Sequence, residues 1–393
     1  MTLPSRVLAL GAVLLAVVFV AECSSADIVA PPSPAKSGDV VWSSAVGRGG
    51  LVPVADSLRA YFGGIDHRLT AVDNASGGVL WSQTTAPPGG GPIGLTFGHG
   101  VVLAAGVVAI ADGYVFAFDQ ATGSPRWTFK GTLGTAPGWD LLSTDGRTIY
   151  AGGPPAGRVY AIDAATGQAR WEASVSTDST QTTAFDAEVY HDTVYVGVWR
   201  QTNPLSGGLA ALDGRTGAKL WYTEFLRSAP GRDGGSRGHV AFWSNLVIAP
   251  VGDGQIFGVE RTTGRIVWSA PPPPEQIYAL NDLRQVAVSA GVVIATSTAN
   301  TVYGYDAATG AVRWKRDLSA SSFLGVTSDD SSAFVGVLSG GMYAIDARTG
   351  SPRWHWGTVV GERETVDRVA IRPGLDRDYV YVSGLAKGWK LRK

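Results

Sequence analysis

Residues 161–171 read AIDAATGQARW, and this stretch decides the fold because it recurs along the chain. Six further copies keep an acidic residue, a glycine and a tryptophan, and the tryptophan always follows the glycine by four positions. Asp bonds backbone amides two residues on, and Gly accepts a left-handed conformation, so the segment predicts a tight turn before a strand. The seven repeat glycines are Gly77, Gly123, Gly167, Gly217, Gly264, Gly310 and Gly350.

The spacing of the repeat indicates the architecture. Successive tryptophans lie 39 to 50 residues apart, which is the period of propeller blades, each made of four short strands. An eighth, partial copy lies near the start, where Gly38 precedes Trp42 with the same spacing. The eight repeat tryptophans are Trp42, Trp81, Trp127, Trp171, Trp221, Trp268, Trp314 and Trp354.

The end of the chain accounts for the isolated copy at Trp42. Strands are predicted over residues 366–371, 378–382 and 388–391, and no tryptophan copy follows them. The strand at Trp42 supplies the missing fourth strand, so one blade is shared by the two ends of the chain. The sequence therefore predicts an all-β, eight-bladed β-propeller over residues 38–393, and ring closure removes exposed sheet edges.

Composition sets limits on function. The net charge is −1, so the broad basic surface that nucleic-acid binding needs is absent. The 393 residues are 45% hydrophobic and 17% charged, which is typical of a folded, core-forming chain. Cys23 is the single cysteine, so internal disulfides and cysteine-based metal sites are excluded.

Residues 1–26 have the pattern of an export signal. Arg6 precedes an apolar run of 15 residues, shorter than the roughly 20 residues of a transmembrane helix. Cys23 follows in a segment that resembles the lipobox of bacterial lipoproteins, which implies lipidation, although Glu22 departs from the small residue usual there. Cleavage after Ala26 and an uncleaved anchor stay open as alternatives. Residues 27–37 then form a Pro-rich tether, and the protein is predicted to be extracytoplasmic, either membrane-anchored or secreted.

The repeat resembles the tryptophan-docking motif of the pyrroloquinoline-quinone-type propellers over about residues 38–393. That family includes quinoprotein alcohol dehydrogenases and outer-membrane assembly lipoproteins of the BamB type. The resemblance implies that each tryptophan packs between blades and that its indole N–H bonds a backbone carbonyl. Departures are confined to single positions: Ser76 replaces Thr, Glu260 replaces Asp, and Gly258 and Gly304 replace Ala.

The same resemblance raises the question of a quinone cofactor. Resemblance to the quinoprotein dehydrogenases implies a disulfide between adjacent cysteines and a calcium or lanthanide site. Here there is one cysteine and no Asp-rich calcium loop, and none of the five histidines has a partner at metal-ligand spacing. We therefore predict no catalytic residue, no metal and no cofactor, and the BamB-like branch is favoured over the dehydrogenases.

The segments after each repeat tryptophan are expected to line the central funnel of the ring. Several carry polar or aromatic residues that form either solvated ion pairs or a pocket for a small ligand or peptide. The candidate binding residues are Trp139, Asp140, Asp186, Glu188, Arg237, His239, Asp282, Arg284, Glu364 and Arg368.

Three functional hypotheses follow. The first is a monomeric, non-catalytic scaffold or binding protein for an envelope protein or small ligand, held at the membrane by a lipid or signal anchor. The second is a quinone-dependent oxidoreductase or sensor that uses the funnel. The third is an extracellular sensor of sugar or peptidoglycan fragments, with Trp139, Trp199 and Trp243 stacking on sugar rings.

Overall fold

The computed structural model describes most of the chain after residue 35. The described residues are 36–47, 52–63, 66–85, 101–103, 106–111, 114–130, 142–153, 157–175, 182–200, 206–228, 234–236, 238–272, 285–296, 301–318, 325–337, 341–357, 373–384 and 387–393. Within these ranges the regular structure is entirely β-strand. Accordingly, no helix long and apolar enough to cross a membrane occurs in them.

The strands are short and evenly distributed. The first half of the chain forms β1 (Val40–Ala45), β2 (Val54–Ala55), β3 (Arg59–Gly63), β4 (Arg68–Asp73), β5 (Val79–Thr84), β6 (Val101–Leu103), β7 (Gly106–Ala111), β8 (Tyr114–Asp119), β9 (Pro125–Lys130), β10 (Leu142–Thr144), β11 (Thr148–Gly153), β12 (Arg158–Asp163), β13 (Ala169–Ser174), β14 (Thr182–Tyr190), β15 (Thr193–Arg200) and β16 (Ser206–Asp213). The second half forms β17 (Lys219–Glu224), β18 (Ala241–Trp243), β19 (Leu246–Pro250), β20 (Ile256–Glu260), β21 (Ile266–Ala270), β22 (Val286–Ser289), β23 (Val292–Thr296), β24 (Thr301–Asp306), β25 (Val312–Asp317), β26 (Val326–Ser328), β27 (Ser332–Gly336), β28 (Met342–Asp346), β29 (Pro352–Trp356), β30 (Gly374–Leu375), β31 (Tyr379–Ser383) and β32 (Lys387–Arg392).

These strands pair into four-stranded antiparallel sheets, eight in the described part of the chain. Seven sheets are each made of four consecutive strands, from β2–β5 through β26–β29, and we call them sheets 1 to 7 in chain order. The remaining sheet has the order β1-β32-β31-β30, and we call it the composite sheet. The two ends of the chain meet in this sheet, where Val40 pairs with Leu391 and Ala45 pairs with Lys387. Seven sheets are therefore each built from one continuous stretch of chain, and the composite sheet is built from both ends of the chain.

The sequence prediction for the first strand of the composite sheet was wrong in its position. The strand that pairs with β31 is β30, in which Gly374 lies opposite Tyr381 and Leu375 opposite Val380. The strand predicted over residues 366–371 lies outside the described residues. A two-residue strand carries too little hydrophobic periodicity to be recognised in the sequence, whereas the apolar residues upstream of it resembled a strand.

The sheets follow one another around a ring. First strands of neighbouring sheets contact each other, as β2 does with β6 and β22 with β26, so the first strands line the axis. At the periphery each repeat tryptophan covers the glycine of the next sheet, and a Cβ placed on Gly123 would lie 2.6 Å from Cδ2 of Trp81. The pairs form a complete cycle: Trp42–Gly77, Trp81–Gly123, Trp127–Gly167, Trp171–Gly217, Trp221–Gly264, Trp268–Gly310, Trp314–Gly350 and Trp354–Gly38.

Hydrogen bonds reinforce these tryptophan contacts. In seven tryptophans Nε1 donates to a backbone carbonyl of the next sheet over 2.9 to 3.2 Å, for example from Trp42 to Asn74 and from Trp171 to Gly214. A buried indole N–H without an acceptor would be costly, so each bond both satisfies the donor and fixes the distance between sheets. The glycines adopt positive φ, +75° at Gly77, which an L side chain rarely adopts.

The acidic residues of the repeat close the turns that present these glycines. In Asp163, Oδ1 accepts hydrogen bonds from the backbone N–H of Ala165 and Thr166 and from the Thr166 hydroxyl. Oδ2 of the same side chain lies 2.7 Å from Nη2 of Arg170. The hydrogen bond from Arg170 and the turn amides lower the pKa of Asp163 to about 2. Asp346 has the same surroundings, with Arg353 in the place of Arg170, and its pKa is also lowered to about 2.

Acid should therefore destabilise the ring through these turns. A carboxyl group whose pKa is lowered by folding contributes stability above its unfolded pKa, near 3.8, and loses that contribution as the pH falls through about 2. We expect the urea midpoint to fall between these pH values. In Arg353→Gln the pKa of Asp346, followed by NMR, should rise, whereas Arg348→Gln, an exposed change in the same turn, should leave it unchanged. An unaltered pKa in Arg353→Gln would contradict the assignment.

A second recurring turn was missed in the sequence. It joins the first and second strands of several sheets, where Oδ1 of Asp56, Asp145, Asp329 and Asp376 accepts the backbone N–H groups two and three residues on. Three of these aspartates also bond a tyrosine five residues later, as Tyr381 does with Asp376 over 2.5 Å. Burial raises the pKa of these tyrosines, to about 12 for Tyr150.

Candidate binding site in the central channel

A pocket of about 340 Å³ lies on the axis of the ring, against the first strands of sheets 4 to 7. It is lined by residues near the ends of β14, β18, β22 and β26, including Glu188, His239, Phe242, Val286 and Ser328. These strands end there because each turns tightly into the second strand of its sheet. Most of the lining residues are apolar, but polar atoms form the larger part of the accessible lining.

Glu188 and His239 form the polar centre of the pocket. Oε1 of Glu188 lies 2.6 Å from Nδ1 of His239, and both side chains are 14% exposed. At this separation the carboxylate and the imidazole are in direct contact. The two residues come from neighbouring sheets, Glu188 from β14 and His239 from the segment before β18, so the pair also bridges two blades.

The backbone on both sides of Glu188 is held by Ser143 of the preceding sheet. The Ser143 hydroxyl donates to the carbonyl of Ala187 and accepts the N–H of Val189 over 3.0 Å. These groups need an outside partner because β14 is the first strand of its sheet and pairs with β15 on one side only; a bulge between Phe185 and Ala187 precedes them. A bulge next to a site re-aims a side chain, and here the residue after the bulge region is Glu188.

The other walls of the pocket are fixed by bonds between sheets. His239 forms a parallel bridge with Gln285, so its backbone is joined to the next sheet. The Ser328 hydroxyl donates to the carbonyl of Val288 over 3.1 Å, and the Thr327 hydroxyl donates to that of Pro373 over 2.8 Å. The pocket is therefore preformed by side-chain bonds to neighbouring backbones.

The structure brings together two of the predicted funnel residues, Glu188 and His239. Asp186 lies in β14 at the bulge, and only its backbone is described. The remaining predicted residues lie outside the described residues: Trp139, Asp140, Arg237, Asp282, Arg284, Glu364, Arg368 and the proposed lipidation site Cys23.

Two of the three aromatic residues predicted to stack on sugars have structural contacts, and the third, Trp139, lies outside the described residues. Trp199 packs against Phe185 with ring centroids 6.3 Å apart, and Trp243 packs on the core cluster between sheets 5 and 6. Sequence reasoning missed Phe242, Ser143 and Ser328. None of these belongs to the repeat, and a serine or phenylalanine in a short inner strand carries no motif of its own.

Comparison with known protein families is decisive for the relationship of this chain. The family model described as outer membrane protein assembly factor BamB matches residues 28–197 and 205–388. This chain belongs to the BamB family. The match spans nearly all of the described ring, and residues 198–204, which include the end of β15, separate its two segments. Among the curated proteins no match was found.

Solved structures of BamB-like architecture are similar to this chain in fold. BamB from Moraxella catarrhalis superposes with a TM-score of 0.63 at 16% identity, covering 91% of this chain and 100% of the other. Quinohemoprotein alcohol dehydrogenase from Comamonas testosteroni gives 0.67 at 14% identity, covering 91% and 76%. The computationally designed protein Ika8 gives 0.65 at 14% identity, covering 91% and 100%. Because an assembly factor, an enzyme and a designed protein share it, the fold alone does not specify a function.

The residues around the channel do not fit the quinone site that the dehydrogenases suggest. Cys23 is the single cysteine, so a disulfide between adjacent cysteines has no counterpart in the BamB-family chain. In the described ranges no three His, Cys, Asp or Glu side chains converge to hold a metal ion. We therefore derive no chemical step through a quinone.

Proposed function

We propose that this chain is an extracytoplasmic, membrane-anchored, non-catalytic scaffold that holds an envelope protein. Membership of the BamB family supports the proposal, because the family model is described by a role in outer membrane protein assembly. The finer parts are inferred from the sequence: an export signal over residues 1–26, attachment through Cys23 or the signal itself, and a Pro-rich tether over residues 27–37. We further propose that the propeller is monomeric and that nucleic acid is not among its partners.

The observation that carries this proposal is that the recurring polar residues of the repeat bond the protein itself. Within the described residues, the repeat carboxylates accept turn amides and the indole N–H groups bond carbonyls of the next sheet, as for Asp163 and Trp171. The carboxylates hold their own turns and the indoles join neighbouring sheets, so neither group is directed at a substrate. The repeat thus builds a rigid ring, and loops on a rigid scaffold are the usual position of partner contacts.

The two ends of the ring offer a sharp test by photo-crosslinking in cells. Leu58 lies in the turn between β2 and β3, and Leu226 follows β17 at the opposite end of the strands; they are 64% and 80% exposed. A photoreactive amino acid at each position tests one end of the ring. We expect a single envelope protein, identified by mass spectrometry, to be crosslinked from one end and not from the other.

Controls separate failure of the scaffold from failure of the anchor. Mass spectrometry of the mature N-terminus shows whether Cys23 carries lipid, and thermal unfolding shows whether both variants are folded. Folded, exported variants that yield no adduct from either end would overturn the scaffold proposal. A face-specific adduct together with an unmodified Cys23 would retain the scaffold and remove only the lipid anchor.

A further inference from the structure

We propose that the pocket at the ends of the first strands of sheets 4 to 7 binds a small neutral molecule rich in hydroxyl groups, of the size and polarity of a monosaccharide. The class of ligand follows from the way in which the protein bonds the walls of this pocket. Binding of such a molecule goes beyond the scaffold function and requires no envelope partner.

The first strand of each of these sheets has one edge that no strand of its own sheet covers. In sheets 4 to 7 the first strands are β14, β18, β22 and β26, and each pairs only with the second strand of its sheet. Such an edge presents both backbone N–H donors and C=O acceptors. Because these strands line the pocket, a ligand meets donors and acceptors on the same wall.

The protein itself covers parts of these edges with hydroxyl groups. The Ser143 hydroxyl donates to the carbonyl of Ala187 and accepts the N–H of Val189, so one oxygen satisfies an acceptor and a donor of β14 at once. The Ser328 hydroxyl donates to the carbonyl of Val288 on β22. A hydroxyl is thus the group that matches these edges, because it donates and accepts through a single small atom.

Glu188 and His239 extend the match to the side chains of the pocket. Both residues line it, and Oε1 of Glu188 lies 2.6 Å from Nδ1 of His239. Each carboxyl oxygen has two lone pairs, so a carboxyl group bonds several partners together. A ligand hydroxyl can donate to these groups or accept from them. The match therefore does not depend on where the proton of this pair lies or on either residue having a single partner.

An added peptide strand fits these edges less well than a compact ligand does. Addition of a strand needs a continuous edge that supplies a run of main-chain hydrogen bonds. The pocket reaches only two to four residues of each first-strand segment, namely 188–189, 239–242, 286–288 and 327–328. Part of this edge, at Val189 and Val288, is already bonded by serine hydroxyls. A ligand that contacts several strands at once is therefore favoured over a peptide.

The apolar part of the wall suits the carbon skeleton of a sugar ring. Val240, Phe242 and Val286 line the pocket. The ring of Phe242 is stacked on that of Tyr190 with centroids 4.6 Å apart, which fixes its position. The volume of about 340 Å³ exceeds what a single water needs and lies in the range of small-ligand pockets. A ring-shaped polyol therefore finds apolar and hydrogen-bonding surface in one preformed site.

Ligand-observed NMR titration with D-glucose, D-galactose, D-mannose and N-acetylglucosamine tests the proposal. At least one of these sugars should bind. Tetrahydropyran, which has the same ring without the hydroxyl groups, should bind at least about tenfold more weakly. The acetylated, amidated tripeptide Ala-Ser-Ala is the probe for the other class of ligand, and it should also bind more weakly than the sugar.

Two variants test whether the sugar binds in this pocket. Glu188→Gln keeps the shape of the side chain, Ser328→Ala removes a hydroxyl, and each should weaken sugar binding by about tenfold. Glu224→Gln and Ser331→Ala are the matched controls. Glu224 is an exposed carboxylate on the outer strand β17, and Ser331 is an exposed serine between β26 and β27. Neither control should change the affinity.

Each outcome decides the matter. Sugar binding that is weakened in both pocket variants and unchanged in both controls supports the proposal. Absence of binding by all four sugars, equal binding of tetrahydropyran, tighter binding of the tripeptide, or an unchanged affinity in Glu188→Gln and Ser328→Ala would overturn it, as would an equal loss in the controls. Thermal unfolding verifies that the variants are folded; if one pocket variant does not fold, the other and the tetrahydropyran comparison decide.

Discussion

Trp42→Ala is expected to lower the free energy of unfolding by about 3–5 kcal/mol, the usual cost of truncating a buried tryptophan. Trp42 is 7% exposed and belongs to the strand that joins the start of the chain to its end. Its ring packs edge-on against Phe62 and near Tyr381, so truncation leaves a cavity on both sides of the seam. Urea unfolding, followed by far-UV circular dichroism, measures the change.

The matched control lies one residue earlier. Val41 is on the same strand and is 36% exposed, so Val41→Ala should change the free energy of unfolding by no more than about 0.5 kcal/mol. If both variants were equally stable, Trp42 would not close the ring. A loss confined to the composite sheet, with the other sheets still folded, would likewise contradict a cooperative ring.

The seam differs from the other junctions because three side chains of the composite sheet converge on one residue. Asn74 accepts the N–H of Trp42 through its carbonyl, and its Oδ1 lies 2.8 Å from the hydroxyl of Tyr381, whose one proton is shared with Asp376. Nζ of Lys390 donates to both oxygens over 2.8 and 2.9 Å and lies 3.8 Å from the ring centroid of Tyr379. Burial lowers the pKa of Lys390, so this ammonium depends on Asn74 for its acceptors.

The architecture could be predicted because its determinants repeat. Each tryptophan, glycine and acidic residue of the motif occupies the same place in its blade, so one correct interpretation, such as Asp163 to Trp171, applies to every sheet. The exception at β30 has a physical reason. That strand pairs through only two residues, Gly374 and Leu375, and its register is set by contact with the rest of the ring.

The pocket was accessible to sequence reasoning only in part. Glu188 and His239 were recognised as polar residues in funnel segments, but their pairing depends on two different sheets. The bulge in β14 and the bond from Ser143 determine where Glu188 lies, and neither follows a period along the chain. Contacts between a side chain and the backbone of another blade arise only when the ring is assembled.

Gly304→Ala should destabilise the protein by about 1–3 kcal/mol, although it restores the alanine found at this position in most copies of the repeat. Gly304 pairs with Trp314 across the sheet, and a Cβ on Gly304 would overlap the indole of Trp314. In sheet 7 the equivalent Ala344 is accommodated opposite Trp354, so the indole of Trp314 occupies space that an alanine methyl fills elsewhere.

The comparison that isolates this effect uses two further variants. Gly78→Ala places a Cβ 3.4 Å from its nearest neighbour, the Ser76 hydroxyl, and should be nearly neutral. In a Trp314→Phe background the smaller ring relieves the overlap, so the cost of Gly304→Ala should shrink, and a double-mutant cycle measures that coupling. Stabilisation by Gly304→Ala, as consensus substitutions often produce, would show that the indole of Trp314 can move aside. If the expected loss of stability is measured, the missing methyl group at Gly304 allows the indole of Trp314 to pack more closely against its own sheet.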